Sequence, residues 1–405
     1  MKVPNTICKI LRINGGIKDL FKKTGIPLDR LKYYEKNNKL PVGRDLENIC
    51  RTYYVKPEYL KVKMGVMDHK TFAFLESVLD DEIKPEEVLE KEKMATLEME
   101  TKLGKLYRGD CFSLMKKMES ESVDLVFADP PFNLDKFYAS KINDNLSADV
   151  YLEWCKEWSL ECARVLKYGG SLFVWNLPKW NLLIGSYLSN FLTFRHLIAV
   201  DIKYRLPIAG RLYPSHYSLL YFCKGEKPKT FHPDRLPMEV CPECATDLRD
   251  YGGYKDKMNP KGISLTDVWY DIPPVRHAKY KKRKEANELS VKLLDRVIEL
   301  ASDDGDVVFD PFGGSGTTYV VAELKRRKWI GVELGPIDVI KHRFENLDDE
   351  KDNLVKIRKN YNQLFTTNTL KVRNHRGLWT AQSVRIKKED TQPSFTLSEK
   401  KAKYK

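Results

Sequence analysis

Val123-Asp124-Leu125-Val126-Phe127-Ala128-Asp129-Pro130-Pro131-Phe132 is the stretch on which the reading of the fold turns. A short, almost wholly apolar run stops at an acid, two prolines and an aromatic ring. Four similar runs follow it: Ser171–Trp175, Tyr217–Phe222, Asp306–Phe309 and Trp329–Glu333. Helix-length patterns separate them, among them Leu152 to Leu166, which Gly169-Gly170 is expected to stop as a C-terminal cap. Short buried strands alternating with helices predict a parallel sheet covered on both faces. The fold class is therefore α/β, a doubly wound Rossmann-like sheet. In such sheets ligands sit at the carboxyl ends of the strands, where Asp129–Phe132 falls.

The run at 306–309 leads into Asp310-Pro311-Phe312-Gly313-Gly314-Ser315-Gly316-Thr317-Thr318, and a helix is expected from Thr317 to about Lys325. Three glycines allow a tight turn and close approach of backbone to a ligand. The helix start behind them offers unpaired N–H groups and a positive dipole end. A bare strand-to-helix turn would explain the glycines alone. However, there is no Gly-Lys-Ser/Thr phosphate grip, and Glu333 ends the next strand where an acid can hold ribose hydroxyls. Asp310, Phe312, Gly313, Gly314, Gly316, Thr317 and Glu333 together read as a nucleoside-cofactor site.

Composition sets the limits around these motifs. The chain has 405 residues, 42% of them hydrophobic and 31% charged, as in an ordinary soluble globular protein. No apolar run approaches the roughly 20 residues of a membrane span, and the N-terminus lacks the pattern of a secretion signal. A cytoplasmic location with no membrane partner is expected. The eight cysteines are scattered apart from one Cys-x-x-Cys, so most are expected reduced and buried. A net charge of +13 favours a polyanionic partner.

Asp129-Pro130-Pro131-Phe132 suits one difficult reaction. An exocyclic base amine is a poor nucleophile because its lone pair is delocalised into the ring. Acceptors that hold both amine hydrogens favour a pyramidal nitrogen, and the Asp129 carboxylate and Pro130 carbonyl can supply them. Pro130 and Pro131 hold that carbonyl rigidly without adding N–H groups that would consume it. Phe132 offers a face on which an extruded base can stack.

With both motifs in view, the sequence resembles the β-class of DNA amino-methyltransferases, in which D/S-P-P-Y/F precedes the F-x-G-x-G cofactor loop in circularly permuted order. Here Phe312–Gly316 follows Phe132 by about 180 residues. The resemblance spans roughly 104–345. It implies S-adenosylmethionine as cofactor, duplex DNA as substrate and methylation of a flipped base, with Gly109-Asp110 at the cofactor's adenine. It places a target-recognition region at about 224–286. Many members carry Lys-Pro before the helix that precedes the cofactor loop; here Ala286–Ser290 stands there, and Asn287 is the candidate grip on the methionine carboxylate. Asp rather than Ser at the first motif position favours adenine N6, with cytosine N4 the alternative. A DNA-binding regulator with a vestigial catalytic fold is the reading from another class. A cognate restriction endonuclease and a homodimer are left open as partners.

The remaining regions divide as 1–65, 66–103 and 346–405. Leu20–Glu35 reads as helix, Gly-containing turn, helix, resembling the Cro/repressor helix-turn-helix domain, which would turn Asp29, Arg30, Lys32 and Tyr33 to DNA. A small helical bundle packed on the catalytic domain is the alternative. Residues 66–103 read as a charged helical connector and 346–405 as a basic tail. Cys241 and Cys244 have knuckle-like spacing, and a structural zinc would need further ligands, for which Cys223 and His232 are nearest. Arg276, Lys279, Lys281, Lys282 and Arg283 form a basic loop suited to phosphate contact.

Overall fold

The computed structural model describes residues 6–79, 94–134, 145–201, 208–210, 212–248, 258–273 and 288–383. The amino-terminal part is helical: α1 (Ile7–Ile10), α2 (Gly16–Thr24), α3 (Leu28–Asn37), α4 (Arg44–Tyr53), α5 (Pro57–Met64) and α6 (His69–Leu79). There follow β1 (Thr96–Glu100), β2 (Gly104–Arg108), α7 (Cys111–Met115), β3 (Val123–Ala128), α8 (Ala148–Val165), β4 (Leu166–Asn176), α9 (Pro178–Leu188), β5 (Thr193–Asp201) and β6 (His216–Cys223). Two short strands, β7 (Arg235–Leu236) and β8 (Ile263–Ser264), precede β9 (Val268–Trp269) and α10 (Val291–Ala301). The last elements are β10 (Val307–Asp310), α11 (Thr317–Leu324), β11 (Lys328–Glu333), α12 (Asp338–Glu345), α13 (Leu347–Arg358) and α14 (Thr367–His375).

Among the described residues, nine strands form one sheet in the order β1-β2-β11-β10-β3-β4-β6-β5-β9. Its centre, β2 to β4, is parallel, while β6 runs antiparallel to both β4 and β5. The expected α/β class and its five strands are present. All six residues of β3 are buried, as its almost wholly apolar sequence requires. The one acid among them, Asp124, accepts from Val307 N at 2.9 Å and Lys167 Nζ at 2.7 Å, so its burial is compensated.

Three segments differ from the sequence reading. The helix α8 ends at Val165, because Leu166 already has extended backbone and opens β4. Gly169 and Gly170 lie inside that strand and are not a cap. A Cβ on Gly170 would meet the Asp124 carbonyl at 2.8 Å, so the glycine permits the close approach of β3. Thr96–Glu100, within the stretch read as a charged connector, pairs antiparallel with β2. Residues 347–358 and 367–375, within the stretch read as a basic tail, are helices.

The chain divides into two compact units, 1–233 with 266–355, and 234–265 with 356–405. In the first, Leu20, Leu31, Leu40, Ile49 and Leu60 share one buried cluster with Met115, Val126, Leu188 and Leu192. The amino-terminal helices and the sheet thus have a common core. In the second, β7 and β8 pair and Met238, Leu364 and Phe365 form a small core. No helix among the described residues is long and apolar enough to cross a membrane.

Candidate active site

Strands β10 and β3 are parallel neighbours, with Phe309 opposite Val126, so both release their loops at the same edge of the sheet. They are also where the strand order reverses: from β3 the chain moves outward to β4, and from β10 it moves the other way to β11. This switch point is where an open α/β sheet forms a ligand crevice. It brings Asp129–Phe132 and Asp310–Thr317 together, though they are far apart in sequence.

In the first loop Asp129 and Pro131 are half-buried, and Pro130 and Phe132 are buried. The backbone is tied down one carbonyl at a time. The Tyr151 hydroxyl donates to the Pro131 carbonyl at 2.6 Å, and Asn176 Nδ2 donates to the Tyr151 hydroxyl at 3.0 Å. Trp180 Nε1 donates to the Phe132 carbonyl at 2.9 Å. Among the described residues no donor is bonded to the Pro130 carbonyl, the acceptor the proposed chemistry requires. The Phe132 ring lies 5.7 Å from Tyr217, which lies 4.9 Å from Trp175, so the motif opens onto an aromatic wall.

The second loop is built around a buried acid. Asp310 accepts from Phe312 N at 2.9 Å and from the Thr318 hydroxyl at 2.5 Å. Burial nevertheless pushes its carboxyl up to about 7, against the pull of those two donors. Gly314 and Gly316 have φ of +53° and +74°, values that favour glycine. A Cβ on Gly313 would meet the Tyr319 hydroxyl oxygen at 2.6 Å, so side-chain-free backbone is required there too. Glu333 accepts from Gly314 N at 2.7 Å and Gly335 N at 2.6 Å, and burial raises its carboxyl above the ordinary range. Phe312 packs edge-on to Trp158 at 5.4 Å. Asp110 caps α7 by accepting from Phe112 N at 3.1 Å; the Gly109 amide, one residue before it, donates to the Glu333 carbonyl at 3.0 Å. The motif residues Asp110, Asp310, Gly313, Gly314, Gly316, Thr317 and Glu333 thus gather around one strand edge.

Some expectations require correction. Arg30 and Tyr33 do not face outward. Arg30 forks onto Glu121 at 2.9 and 3.1 Å and stacks on Tyr168, while Tyr33 is buried and shares a hydrogen bond with Thr193 at 2.8 Å. Of the four residues assigned to DNA on that helix, Asp29 and Lys32 are exposed. Cys223 and His232 have partners of their own: the Cys223 thiol lies against the Gly225 carbonyl, and the His232 ring pairs with Asp303. Asn287 and the basic loop residues Arg276, Lys279, Lys281, Lys282 and Arg283 lie outside the described residues.

The sequence reading missed Tyr151, Trp180, Tyr217 and Arg343. Arg343, fully buried on α12, donates to the Ser315 carbonyl at 3.1 Å and the Thr317 hydroxyl at 2.8 Å, and pairs with Glu350 at 2.9 Å. Charged neighbours make its helix read as a solvated surface, so nothing in the sequence pattern marks it.

A switch-point sheet with a glycine cradle beside an acid-proline-proline-aromatic turn defines a methyltransferase of base amines. The chain belongs to the N6/N4 DNA methylase family, whose profile, described as "DNA methylase", matches residues 123–338. It is similar to the type II methyltransferase M.BamHI of Bacillus amyloliquefaciens, 48% identical over 358 residues, 85% of this chain and 84% of that one. It is also similar to the DNA adenine methyltransferase YhdJ of Escherichia coli K12, 32% identical over 246 residues, 60% of this chain and 82% of that one. Among solved structures, the cytosine-N4-specific PvuII DNA methyltransferase aligns with 20% identity and a TM-score of 0.44, over 63% of this chain and 94% of that one. The chain is an S-adenosylmethionine-dependent DNA methyltransferase acting on an exocyclic amine of adenine N6 or cytosine N4 type.

Proposed function

We propose that the chain methylates adenine N6 in duplex DNA, with the flipped base held at Asp129–Phe132. The observation that carries the site is the capped backbone: Tyr151 and Trp180 occupy the carbonyls of Pro131 and Phe132 and leave that of Pro130 for the amine. Asp129 and the Pro130 carbonyl accept the two amine hydrogens, and the Asp129 carboxylate stabilises positive charge growing on nitrogen. Phe132 supports the base by stacking. S-adenosylmethionine, when bound, supplies an electrophilic methyl group on its sulfonium. The cradle fits it: Gly313, Gly314 and Gly316 allow close approach, Glu333 has acceptor capacity for ribose hydroxyls, and buried Asp310 suits a cationic group. Asp110 and Asn287 complete the proposed cofactor contacts.

The choice of adenine rests on Asp129 as the first motif letter; the two acceptors themselves would serve cytosine N4 equally. Duplex DNA of mixed sequence, incubated with tritiated S-adenosylmethionine and digested to nucleosides, decides it. Label in N6-methyladenine is the expected result, and label in N4-methylcytosine would transfer the same site to the other base. Asp129→Ala should lower transfer by about 100-fold or more while cofactor binding survives. Near-normal turnover in that variant would remove the site.

Further readings belong to the same proposal. The α2–α3 pair has helix-turn-helix spacing, with Gly25 in the left-handed conformation, and Asp29 and Lys32 are its outward residues toward DNA. The basic loop from Arg276 to Arg283 contacts phosphates. The thiols of Cys241 and Cys244 and the carboxylate of Asp247 lie within 4.8 Å of one another, three of the four ligands of a structural zinc. Metal analysis of the purified protein tests that set, with one zinc per chain expected. A cytoplasmic location, a restriction endonuclease of matching specificity and a homodimer accord with this role.

A further inference from the structure

Within the region expected to recognise the target, the segment 234–265 has no positive excess of its own. It contains five Lys and Arg against six Asp and Glu, whereas residues 356–405 contain 13 against three. The structure joins these two segments into one compact unit, which therefore holds +9 of the chain's +13. The junction is specific. Arg358 forks onto Asp234 at 2.6 and 2.9 Å, Asn362 exchanges backbone and side-chain hydrogen bonds with Arg235, and Met238 N donates to the Leu364 carbonyl at 2.7 Å. Helix α14 is fixed from within. Arg373 is buried, donates to the carbonyls of Ala245 at 2.6 Å and Trp379 at 2.7 Å, and lies over the Phe365 ring. Thr366 caps its first turn.

Among the residues that α14 leaves exposed, Asn368, Lys371 and His375 stand at spacings of three and four residues and so on one face. An amide, an ammonium and an imidazole are donors and acceptors that match base edges and phosphates. A rigid helix held by a buried arginine, with a polar outer face on the most cationic part of the chain, fits the major groove of duplex DNA. We infer that α14 is a DNA-reading helix and that the carboxyl-terminal segment is a working part of the recognition unit. This inference rests on the DNA substrate and is independent of which base is methylated.

The test is the triple variant Asn368→Ala/Lys371→Ala/His375→Ala in the full chain. The control is Lys102→Ala/Lys328→Ala, which removes two exposed cations from the first unit at the starts of β2 and β11, the strand ends opposite those that release the site loops. Duplex DNA binding is followed by fluorescence anisotropy across a salt series without cofactor, and methyl transfer separately. The triple variant should raise the KM for DNA about tenfold or more with kcat and cofactor affinity unchanged. Its slope of log affinity against log salt should fall by about one. An unchanged KM and slope would overturn the assignment, and so would an equal loss in the Lys102/Lys328 control. If thermal unfolding shows the triple variant unstable, Lys371→Glu and Lys371→Arg replace it. A DNA-binding loss with Glu and rescue with Arg are expected, and equal binding by the two would overturn the proposal.

Discussion

Tyr151 touches neither the base amine nor the cofactor in the proposed arrangement, yet its hydroxyl holds the Pro131 carbonyl, the neighbour of the Pro130 carbonyl. Losing the 2.6 Å bond to Pro131 frees a carbonyl next to the one that must hold the amine. Tyr151→Phe keeps the ring packed 4.7 Å from Trp180 and removes the hydroxyl alone. The expected outcome is a fall in kcat on the order of tenfold, with little change in DNA KM. Equal loss in both constants would assign Tyr151 to general packing. Asp310 makes a pH prediction at the same scale. Its folded carboxyl stands near 7, above the ordinary 3.8, so the folded chain holds a proton that the unfolded chain releases earlier. That group's contribution to stability is complete below about pH 4, declines as pH rises toward 7, and then stays level. Asp310→Asn should flatten this part of the profile and raise the melting temperature at pH 8. It should also weaken cofactor binding, which isothermal titration would show.

At the scale of elements, the cofactor loop is held by a helix that follows it in sequence. Arg343 of α12 clamps Ser315 and Thr317 from behind while its guanidinium is held by Glu350. Arg343→Ala removes the buried guanidinium that pairs with Glu350, a loss of about 3 kcal/mol or more by denaturant unfolding. Loosening of the loop should weaken S-adenosylmethionine binding on the order of 10- to 100-fold. Cofactor affinity equal to that of the parent chain would show that the loop is rigid without the clamp. The contrast between this clamp and the loop it holds shows what could be read in advance. Strands β3, β4, β6, β10 and β11 were legible because burial on both faces demands unbroken apolar runs, and the motif loops because glycine and proline restrict backbone directly. Tyr151, Trp180 and Arg343 act through contacts between elements distant in sequence, and no local periodicity encodes those. The Gly169-Gly170 pair misled for a related reason: a helix cap and a strand needing close neighbours call for the same residue.

The whole molecule raises the question of what the amino-terminal helices do. A tethered reader of DNA would keep its own core and a polar boundary toward the catalytic sheet. Instead the first 79 residues contribute Leu20, Leu31, Leu40 and Leu60 to the cluster that contains Val126 and Leu188. Polar anchors cross the same boundary. Arg30 is paired with Glu121, and Glu121 also lies 3.5 Å from buried Lys224, whose amine burial pushes down to about 8. Burial alone would raise the Asp68 carboxyl, but Lys61 and Thr71 hold it down at about 2, and Tyr187 of α9 donates to it at 3.1 Å. Stability from Asp68 is therefore present above about pH 4 and lost as pH falls toward 2. Asp68→Asn should cost on the order of 1 kcal/mol at neutral pH and progressively less as pH falls through about 2, allowing for partial solvent screening. Removal of residues 1–79 is the stronger test. It strips the cover from the α9 face around Leu188 and Leu192, so the truncated chain should aggregate or melt at least 10 °C lower than the full chain, read by soluble yield and calorimetry. Unchanged stability with lost DNA affinity would instead make these helices an independent DNA-binding module. The shared core argues that their first role is to complete the catalytic domain.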